Sequence, residues 1–419
     1  AVPHSDQLPA VIAAVGSAAA ASGVSLSSGS PAPAVGSEGA ARTWNLGLRV
    51  TGPAGAVSDF IDAVTHMDRL HQWWRGETVY PITLELGPAT VCNHYCTWCM
   101  HGAYFGKHRN DGNVAKRYPD SSIMAFDVYR RLLDECIPLG VRSVILSGSG
   151  EPFMNPEISR FIGYTKAAGA DIAIITNGSA IREKDIEAAV SAATWIRVSL
   201  DAGTSATRQR IHRTTEDDFD TTLGNLRRLA EAKKRLGAQV QLGAQIALCP
   251  ENVHEIFEVA RISRECGIDY TQIKPVIFHP ESSVSQLERR FLLDALAAAR
   301  KTKEELEGDG FRVYVKEDQF AAILAEDYDR GAYGRCYANF FPIVEANGIV
   351  YYCSQTRGLP GFALGDLKKN TFREIWESGR RREVWESIDV RKCQPVCRCH
   401  PINKVLWTIR HPGPGVNFV

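Results

Sequence analysis

Between Pro81 and Ile277 the sequence alternates short runs rich in Val, Ile and Leu with amphipathic segments, each closed near a Gly or Pro. The predicted strands are Ile82–Leu86, Ser143–Ser147, Ile172–Thr176, Trp195–Leu200, Gln239–Leu248 and Tyr270–Ile277. Of the helices between them, Phe126–Cys136 shows the pattern well, with Phe126, Tyr129, Leu132, Leu133 and Cys136 on one face. Strands and helices that alternate at this spacing predict a parallel sheet with right-handed crossovers. Six such units are two short of a closed eight-stranded barrel, so a partial barrel of the α/β class is expected.

The flanks differ from this core. Residues 1–66 are dominated by Ala, Ser, Gly, Pro and Val, without cysteine or methionine, and Met67 marks the change. A helix over Leu8–Ala21, strands at Val24–Ser27 and Trp44–Val50, and a helix at Ala56–Thr65 predict a small α+β module. It is either a fused module ahead of an enzyme that starts near Met67 or a native extension. A charged helix over Leu287–Glu307 closes the barrel region, 67–307. Residues 308–419 then carry a predicted hairpin at Ile343–Tyr352, a helix around Phe372–Ser387 and most of the remaining cysteines. The tail from His411, rich in Pro and Gly, suggests no mechanism.

Composition excludes several classes. Lys+Arg and Asp+Glu are balanced at 48 each, which argues against a broad surface for nucleic acid or anionic lipid. No apolar run is long enough to span a membrane, and the Ala-rich start lacks the cationic region of a signal peptide. A cytoplasmic protein without nucleic-acid or membrane partners is expected. The 11 cysteines are an odd number in a long chain, so they do not form a disulfide framework.

Their placement is more informative. Cys92, Cys96 and Cys99 form a C-x3-C-x2-C loop directly after the first strand, and Cys336, Cys353, Cys393, Cys397 and Cys399 lie late. Three thiolates around one small volume select an iron–sulfur cluster, zinc or copper. Zinc would want a fourth ligand, which His94 or His101 would supply, whereas a cubane held by three cysteines leaves one iron open. Cys136 and Cys266 sit on apolar helix faces and are read as small hydrophobes. Cys249 ends the fifth strand, and Lys274 closes the sixth.

The Cys92–Cys99 loop in this position resembles the radical S-adenosylmethionine (radical SAM) superfamily, and the following strand ends agree. Ser147-Gly-Ser-Gly150-Glu151-Pro152 is similar to the family's GGEP motif, Thr176-Asn177-Gly178 to its T-N-G, and Ser199-Leu-Asp201-Ala202 to its S-L-D-A. The resemblance covers residues 80–280 and implies a [4Fe–4S] cluster on Cys92, Cys96 and Cys99. It also implies SAM held by Trp98, Gly150, Glu151, Pro152, Asn177, Ser199 and Asp201. Arg213 meets the SAM carboxylate in this reading, or is a solvated arginine at a helix start.

The late cysteines, with the C-x11-G-x4-C pattern from Cys336 through Gly348 to Cys353, resemble the SPASM/twitch extension of the same superfamily. That implies at least one auxiliary Fe–S cluster, for which Cys336 and Cys353 are the firmer ligands. Which two of Cys393, Cys397 and Cys399 complete the set stays open, and a four-cysteine zinc knuckle is the structural alternative. The α+β module weakly resembles the periplasmic domain of a PilO-type pilus assembly protein.

Together these resemblances imply a partial (β/α)6 radical SAM barrel with a small C-terminal auxiliary-cluster domain and an N-terminal α+β module. The implied reaction uses a 5′-deoxyadenosyl radical to abstract hydrogen from a C–H bond, with a reducing donor such as flavodoxin or ferredoxin. A carbohydrate-like or aminocyclitol substrate, oxidised or epimerised, is the favoured reading. Maturation of a ribosomal peptide or protein is the alternative. Cys249 is a candidate hydrogen-atom donor, and Lys274 a candidate substrate contact.

Overall fold

The computed structural model describes residues 25–28, 32–33, 44–45, 48–51, 67–99, 122–276, 288–325, 333–337, 340–354, 356–393, 397 and 399–411. The chain forms two compact units. One comprises Ala1–Val79, Arg330–Ala338 and Arg398–Val419; the other comprises Tyr80–Asp329 and Asn339–Cys397.

In the first unit β1 (Ser25–Ser28) and β2 (Ala32–Pro33) pair antiparallel with β4 (Leu48–Thr51) and β3 (Trp44–Asn45), respectively. Both strand predictions of the module are met, the second as two short strands. Its predicted helices, Leu8–Ala21 and Ala56–Thr65, lie outside the described residues. Helix α1 (Met67–Trp74) follows.

The second unit is built on one sheet. Strands β5 (Thr83–Leu86), β6 (Ser143–Leu146), β7 (Asp171–Thr176), β8 (Trp195–Ser199), β9 (Gln241–Leu248) and β10 (Tyr270–Pro275) lie side by side in chain order, all parallel. These are the six expected strands. Between them run α2 (Phe126–Cys136), α3 (Ile158–Ala167), α4 (Glu183–Ala192), α5 (Ser205–His212), α6 (Asp218–Leu236) and α7 (Ile256–Glu265). The sheet extends past both expected edges. After α8 (Arg289–Leu306), β11 (Arg312–Val315) adds a seventh parallel strand beside β10, followed by α9 (Glu317–Ala325). At the far edge β12 (Ile343–Val344) pairs parallel with β5, and β13 (Ile349–Tyr351) and β14 (Gly365–Asp366) continue antiparallel. The predicted hairpin is therefore part of the main sheet. A two-residue strand such as β12 is too short to carry a periodicity.

The helix predicted around Phe372–Ser387 is two helices, α10 (Phe372–Glu377) and α11 (Gly379–Ser387). Ser378 breaks it: its backbone is extended, and its hydroxyl accepts from Arg381 N to start the second helix. The first unit closes with α12 (His400–Arg410).

The two faces of the sheet are chemically opposite. Leu84, Leu86, Val144, Leu146, Ile196, Val198, Leu242, Ile246 and Ile273 alternate onto one face and are almost wholly buried against the helices. Tyr129, Leu132, Leu133 and Cys136 of α2 belong to that core, as does Cys266. The intervening residues Glu85, Arg197, Ser199, Gln272 and Lys274 are only partly buried, and among the described residues the helices pack on the opposite, apolar face. A parallel sheet covered on both faces would carry apolar residues there instead. Among the described residues no helix is long and apolar enough to cross a membrane.

Candidate active site

In parallel sheets ligands gather at the C-terminal strand ends. The Cys92–Cys99 loop leaves β5 there, and backbone bonds hold it on both sides. Glu151 N donates to Val91 O, Tyr95 N to His212 O and Thr97 N to Ile211 O, each within 3.0 Å. The Gly-rich turn after β6 lies against this loop so closely that a Cβ on Gly150 would sit 2.2 Å from Val91 O and 2.6 Å from Thr90 C. Only a hydrogen fits. The obstructing atoms are backbone, so Gly150→Ala is expected to cost toward the top of the usual 1–3 kcal/mol for overpacking. A melt of the metal-free protein should read a loss of about 5–10 °C, and anaerobic reconstitution should yield clearly less iron per chain than wild type.

The three thiols occupy one region. Burial pushes Cys92 up to about 12, with further upward pressure from Glu151 and then Cys99. Cys96 lies well above the ordinary thiol value through burial, and Cys99 and Cys92 add to it. Cys92 Sγ also accepts from His94 N at 3.4 Å and from Asn177 Nδ2 at 3.9 Å. Such thiols stay protonated until a metal binds and displaces the proton to solvent, and soft thiolates suit an iron–sulfur cluster. The donor set fits a [4Fe–4S] cluster on Cys92, Cys96 and Cys99.

Glu151 is fully buried and ties two strand ends together. Its Oε1 accepts from Thr176 Oγ1 at 2.6 Å and Phe153 N at 3.2 Å, and its Oε2 accepts from Asn177 N at 2.7 Å. Burial raises its acid to about 7 against these donors. Pro152 starts the short turn that follows it. The Asn177 amide reaches back to Asn93 Oδ1 at 2.7 Å, so T-N-G touches the cysteine loop directly. Asp201 adopts φ +56°, rare for a residue with a Cβ. The bend is held by Ala247 N, which donates to Asp201 Oδ1 at 2.7 Å, and by Asn252, whose amide donates to Asp201 O at 2.8 Å. Burial raises the Asp201 acid to about 6. Ser199 lies part-exposed at the end of β8.

Sequence reasoning missed the group that organises these loops. Arg208 on α5 is completely buried; it pairs with Asp218 at 2.6 Å and donates to Ser199 O, Leu200 O, Asn177 O and Thr222 Oγ1. Arg213 is instead exposed, at the left-handed C-cap of α5. The signal existed: Thr207, Arg208, Ile211 and His212 share one face at helical spacing and are all buried. Their polar side chains made that stripe resemble a solvated one. Below it runs a buried relay: Asp218 Oδ1 lies 2.8 Å from His94 Nε2, His94 Nδ1 3.0 Å from His212 Nδ1, and His212 Nε2 3.2 Å from Asp201 Oδ2. His94 is thus engaged with His212 and Asp218 rather than kept free as a fourth ligand. Trp98 stands edge-on to His212 at 5.6 Å between centroids.

Cys249 is also buried, in a small apolar cluster with Ala202, Ile211, Ala247 and Val276, against which Trp98 packs. Burial, and then Glu251, hold its thiol far above the ordinary value, so it stays protonated. Lys274 rises beside Ala247 on the concave face, and burial together with Arg197 lowers its ammonium to about 8.

Of the late cysteines, Cys336 and Cys399 belong to the first unit. There Asn403 Nδ2 approaches Cys336 Sγ at 3.7 Å, Cys399 caps α12, and Tyr333 bonds His400. Cys353, Cys393 and Cys397 belong to the second unit; Cys353 directly follows β13 and its neighbour Tyr352.

Comparison with known proteins agrees with this arrangement. Residues 87–262 match the radical SAM superfamily, and residues 336–400 match the SPASM iron-sulfur cluster-binding domain. The AdoMet-dependent heme synthase of Methanosarcina barkeri is 24% identical over 275 residues, 60% of this chain and 73% of that protein. GTP 3',8-cyclase 2 of Pseudomonas aeruginosa is 26% identical over 216 residues, 50% of this chain and 58% of that one. Among solved structures, Streptococcus suis SuiB bound to S-adenosylmethionine aligns with a TM-score of 0.57 at 14% identity, covering 78% of this chain and 72% of that one. Native anSMEcpe with bound AdoMet aligns at 0.52 and 16% identity, covering 73% and 83%. With cysteine loop, strand-end motifs and both domain matches in one chain order, this protein belongs to the radical SAM superfamily and carries a C-terminal SPASM domain, which together imply a [4Fe–4S] cluster, SAM and auxiliary iron–sulfur binding.

Proposed function

We propose that this enzyme removes a hydrogen atom from a C–H bond of a hydroxyl-rich small molecule, a sugar or aminocyclitol, seated on the concave face of the second unit's sheet. One observation carries the reading: that face is lined by polar side chains, most of them only partly buried, opposite an apolar face that is closed. When bound, the cluster and SAM supply the one-electron chemistry that breaks such a bond. The chain's own residues do the holding. Arg197 Nη1 donates to Gln272 Oε1 at 3.2 Å, while its Nε and the Oε1 of buried Gln245 have no hydrogen-bond partner among the described residues. Ser199, Gln245 and Gln272 form one cross-strand row, and Ala247 and Lys274 the row above. Such a lining suits a ligand rich in donors and acceptors better than an apolar side chain.

In this reading Cys249 quenches the substrate. Its S–H bond breaks, a C–H bond forms with inverted configuration, and a reducing protein such as flavodoxin or ferredoxin returns one electron to sulfur with a proton from solvent. The oxygen sensitivity of thiolate-bound iron fits a reducing cytoplasm. The residue roles at Trp98, Gly150, Glu151, Pro152, Asn177, Ser199 and Asp201 in holding SAM belong to the same proposal, as do auxiliary-cluster roles for Cys336, Cys353, Cys393, Cys397 and Cys399.

Anaerobic protein supplied with SAM, reductant and fractionated small molecules should release 5′-deoxyadenosine fastest with a polyhydroxylated fraction. Lys274→Met should lower that stimulated rate about tenfold to a hundredfold, the worth of one charged hydrogen bond, while leaving unstimulated SAM cleavage unchanged. Stimulation confined to peptides would contradict the substrate reading. In deuterated water the product should carry solvent label, and Cys249→Ala should still release 5′-deoxyadenosine but lose the labelled, inverted product. An unlabelled ketone from both proteins would exclude the donor role.

A further inference from the structure

Three cations gather at one end of the concave face. Lys274 lies in β10, and Lys316 follows β11 in the adjacent position, the register being kept by Lys316 N, which donates to Ile273 O at 2.9 Å. Arg197 reaches toward them from β8, two strands away, and its Nη1 donates to Gln272 Oε1 at 3.2 Å. We infer that Lys274, Lys316 and Arg197 form an anion subsite, and that the ligand of this face carries a carboxylate or phosphate group seated there. The inference rests on the proposed hydroxyl-rich substrate and adds a charge to it.

The register sets the direction of these side chains. Ile273 is fully buried in the core on the helix side, so Tyr270, Gln272 and Lys274 alternate onto the concave face. Lys316 extends the row of Lys274 as Tyr314 extends that of Gln272. Beneath them Gly243 stands opposite both Arg197 and Tyr270. A Cβ on Gly243 would sit 2.1 Å from Tyr270 Cζ, so the tyrosine ring lies over that position and floors the row. Arg197 passes into the row above, where it meets Gln272.

The charges at this spot do not cancel. Burial lowers the Lys274 ammonium to about 8, Arg197 and Lys316 add to that fall, and Asp201 is the acid that opposes them. Asp201 is committed elsewhere: its Oδ1 accepts from Ala247 N at 2.7 Å, and its Oδ2 faces His212 Nε2 at 3.2 Å. Among the described residues other buried cations of this unit are paired, Arg208 with Asp218 at 2.6 Å and Arg357 with Glu85 at 2.5 Å. Like charges crowded without a counter-ion repel, and a bound anion removes that cost.

A second observation points to a ligand independently of charge. Gln245 is only 7% exposed and stands between Ser199 and Gln272 in the row below the lysines. Its Oε1 and Arg197 Nε both lack a hydrogen-bond partner among the described residues. An orphaned acceptor and an orphaned donor on one face suit hydroxyl groups, which accept and donate at once. The row of glutamines would take the hydroxyls, and the lysines the anion.

The test uses the anaerobically reconstituted full chain with three probes at constant ionic strength: inorganic phosphate, glucuronate and neutral glucose. Lysines are acetylated with limiting reagent and read residue by residue by mass spectrometry. Phosphate or glucuronate should slow labelling of Lys274 and Lys316 several-fold and saturably, leave the exposed Lys301 unchanged, and do so where glucose does not. The stronger of the two anions assigns phosphate or carboxylate. Lys316→Met should weaken the protection of Lys274 about tenfold to a hundredfold, and Lys316→Arg should keep it, which a merely structural role would not require. Release of 5′-deoxyadenosine separates this inference from the reading beneath it. Anion protection with stimulation confined to peptides would keep the subsite and remove the hydroxyl-rich substrate. Stimulation by neutral polyols without anion protection, or protection of Lys274 undiminished in Lys316→Met, would overturn the subsite.

Discussion

Replacing Arg208 with methionine is expected to be the most damaging single change outside the cysteines. Methionine fills much of the volume but leaves the Asp218 carboxylate buried beside His94 without its cation, and it leaves Ser199 O, Leu200 O and Asn177 O without the donor that joins them. Breaking one partner of a buried pair costs about 3–5 kcal/mol, and each newly orphaned buried acceptor adds about 1–3 kcal/mol before relaxation. For a unit of this size, the pair term alone predicts a melting temperature lower by roughly 10 °C. Because the three carbonyls belong to the T-N-G and S-L-D-A turns, the loss falls on the strand ends. Iron uptake and SAM binding should weaken more than circular dichroism changes. Arg208→Lys should recover little, since one ammonium cannot span five acceptors fixed by a planar fork. A variant that melts like wild type and reconstitutes fully would show that the carbonyls find other partners.

How legible this arrangement is from sequence depends on the range of the interactions. The six parallel strands declare themselves because each buries an apolar row on its own, and the helix over Phe126–Cys136 because its apolar stripe is local. The cysteine loop and the three strand-end motifs are likewise contiguous. What is hidden is pairing between distant segments. Arg208 looks like one of several helix-start arginines, and Asp218 like the end of an acidic run, until α5 and α6 bring them within 2.6 Å. His94 reads as a spare metal ligand until His212 meets it. The same holds at the sheet edge, where Glu85 and Glu345 share Arg357 across more than 250 residues, at 2.5 and 3.3 Å. Those contacts exist because β12 pairs with β5, a register that two residues cannot announce. The concave face is partly legible: alternation of Arg197 and Lys274 with apolar neighbours is visible in the sequence, but which side of the sheet lies open is not.

Cys92, Cys96 and Cys99 are the residues that would hold a cluster working on SAM. The most direct measurement is iron and sulfide per chain, together with 5′-deoxyadenosine release, for anaerobically reconstituted wild type and Cys96→Ala. Cys96 is the middle ligand and the one gripped by the His212 contact, so its loss removes one of only three thiolates. A cubane is not retained by two. The variant should therefore lose about four iron and four sulfide per chain, keep the auxiliary iron, and release no 5′-deoxyadenosine above a blank without protein. Undiminished SAM cleavage by Cys96→Ala, or an iron content equal to wild type, would contradict the account at its root.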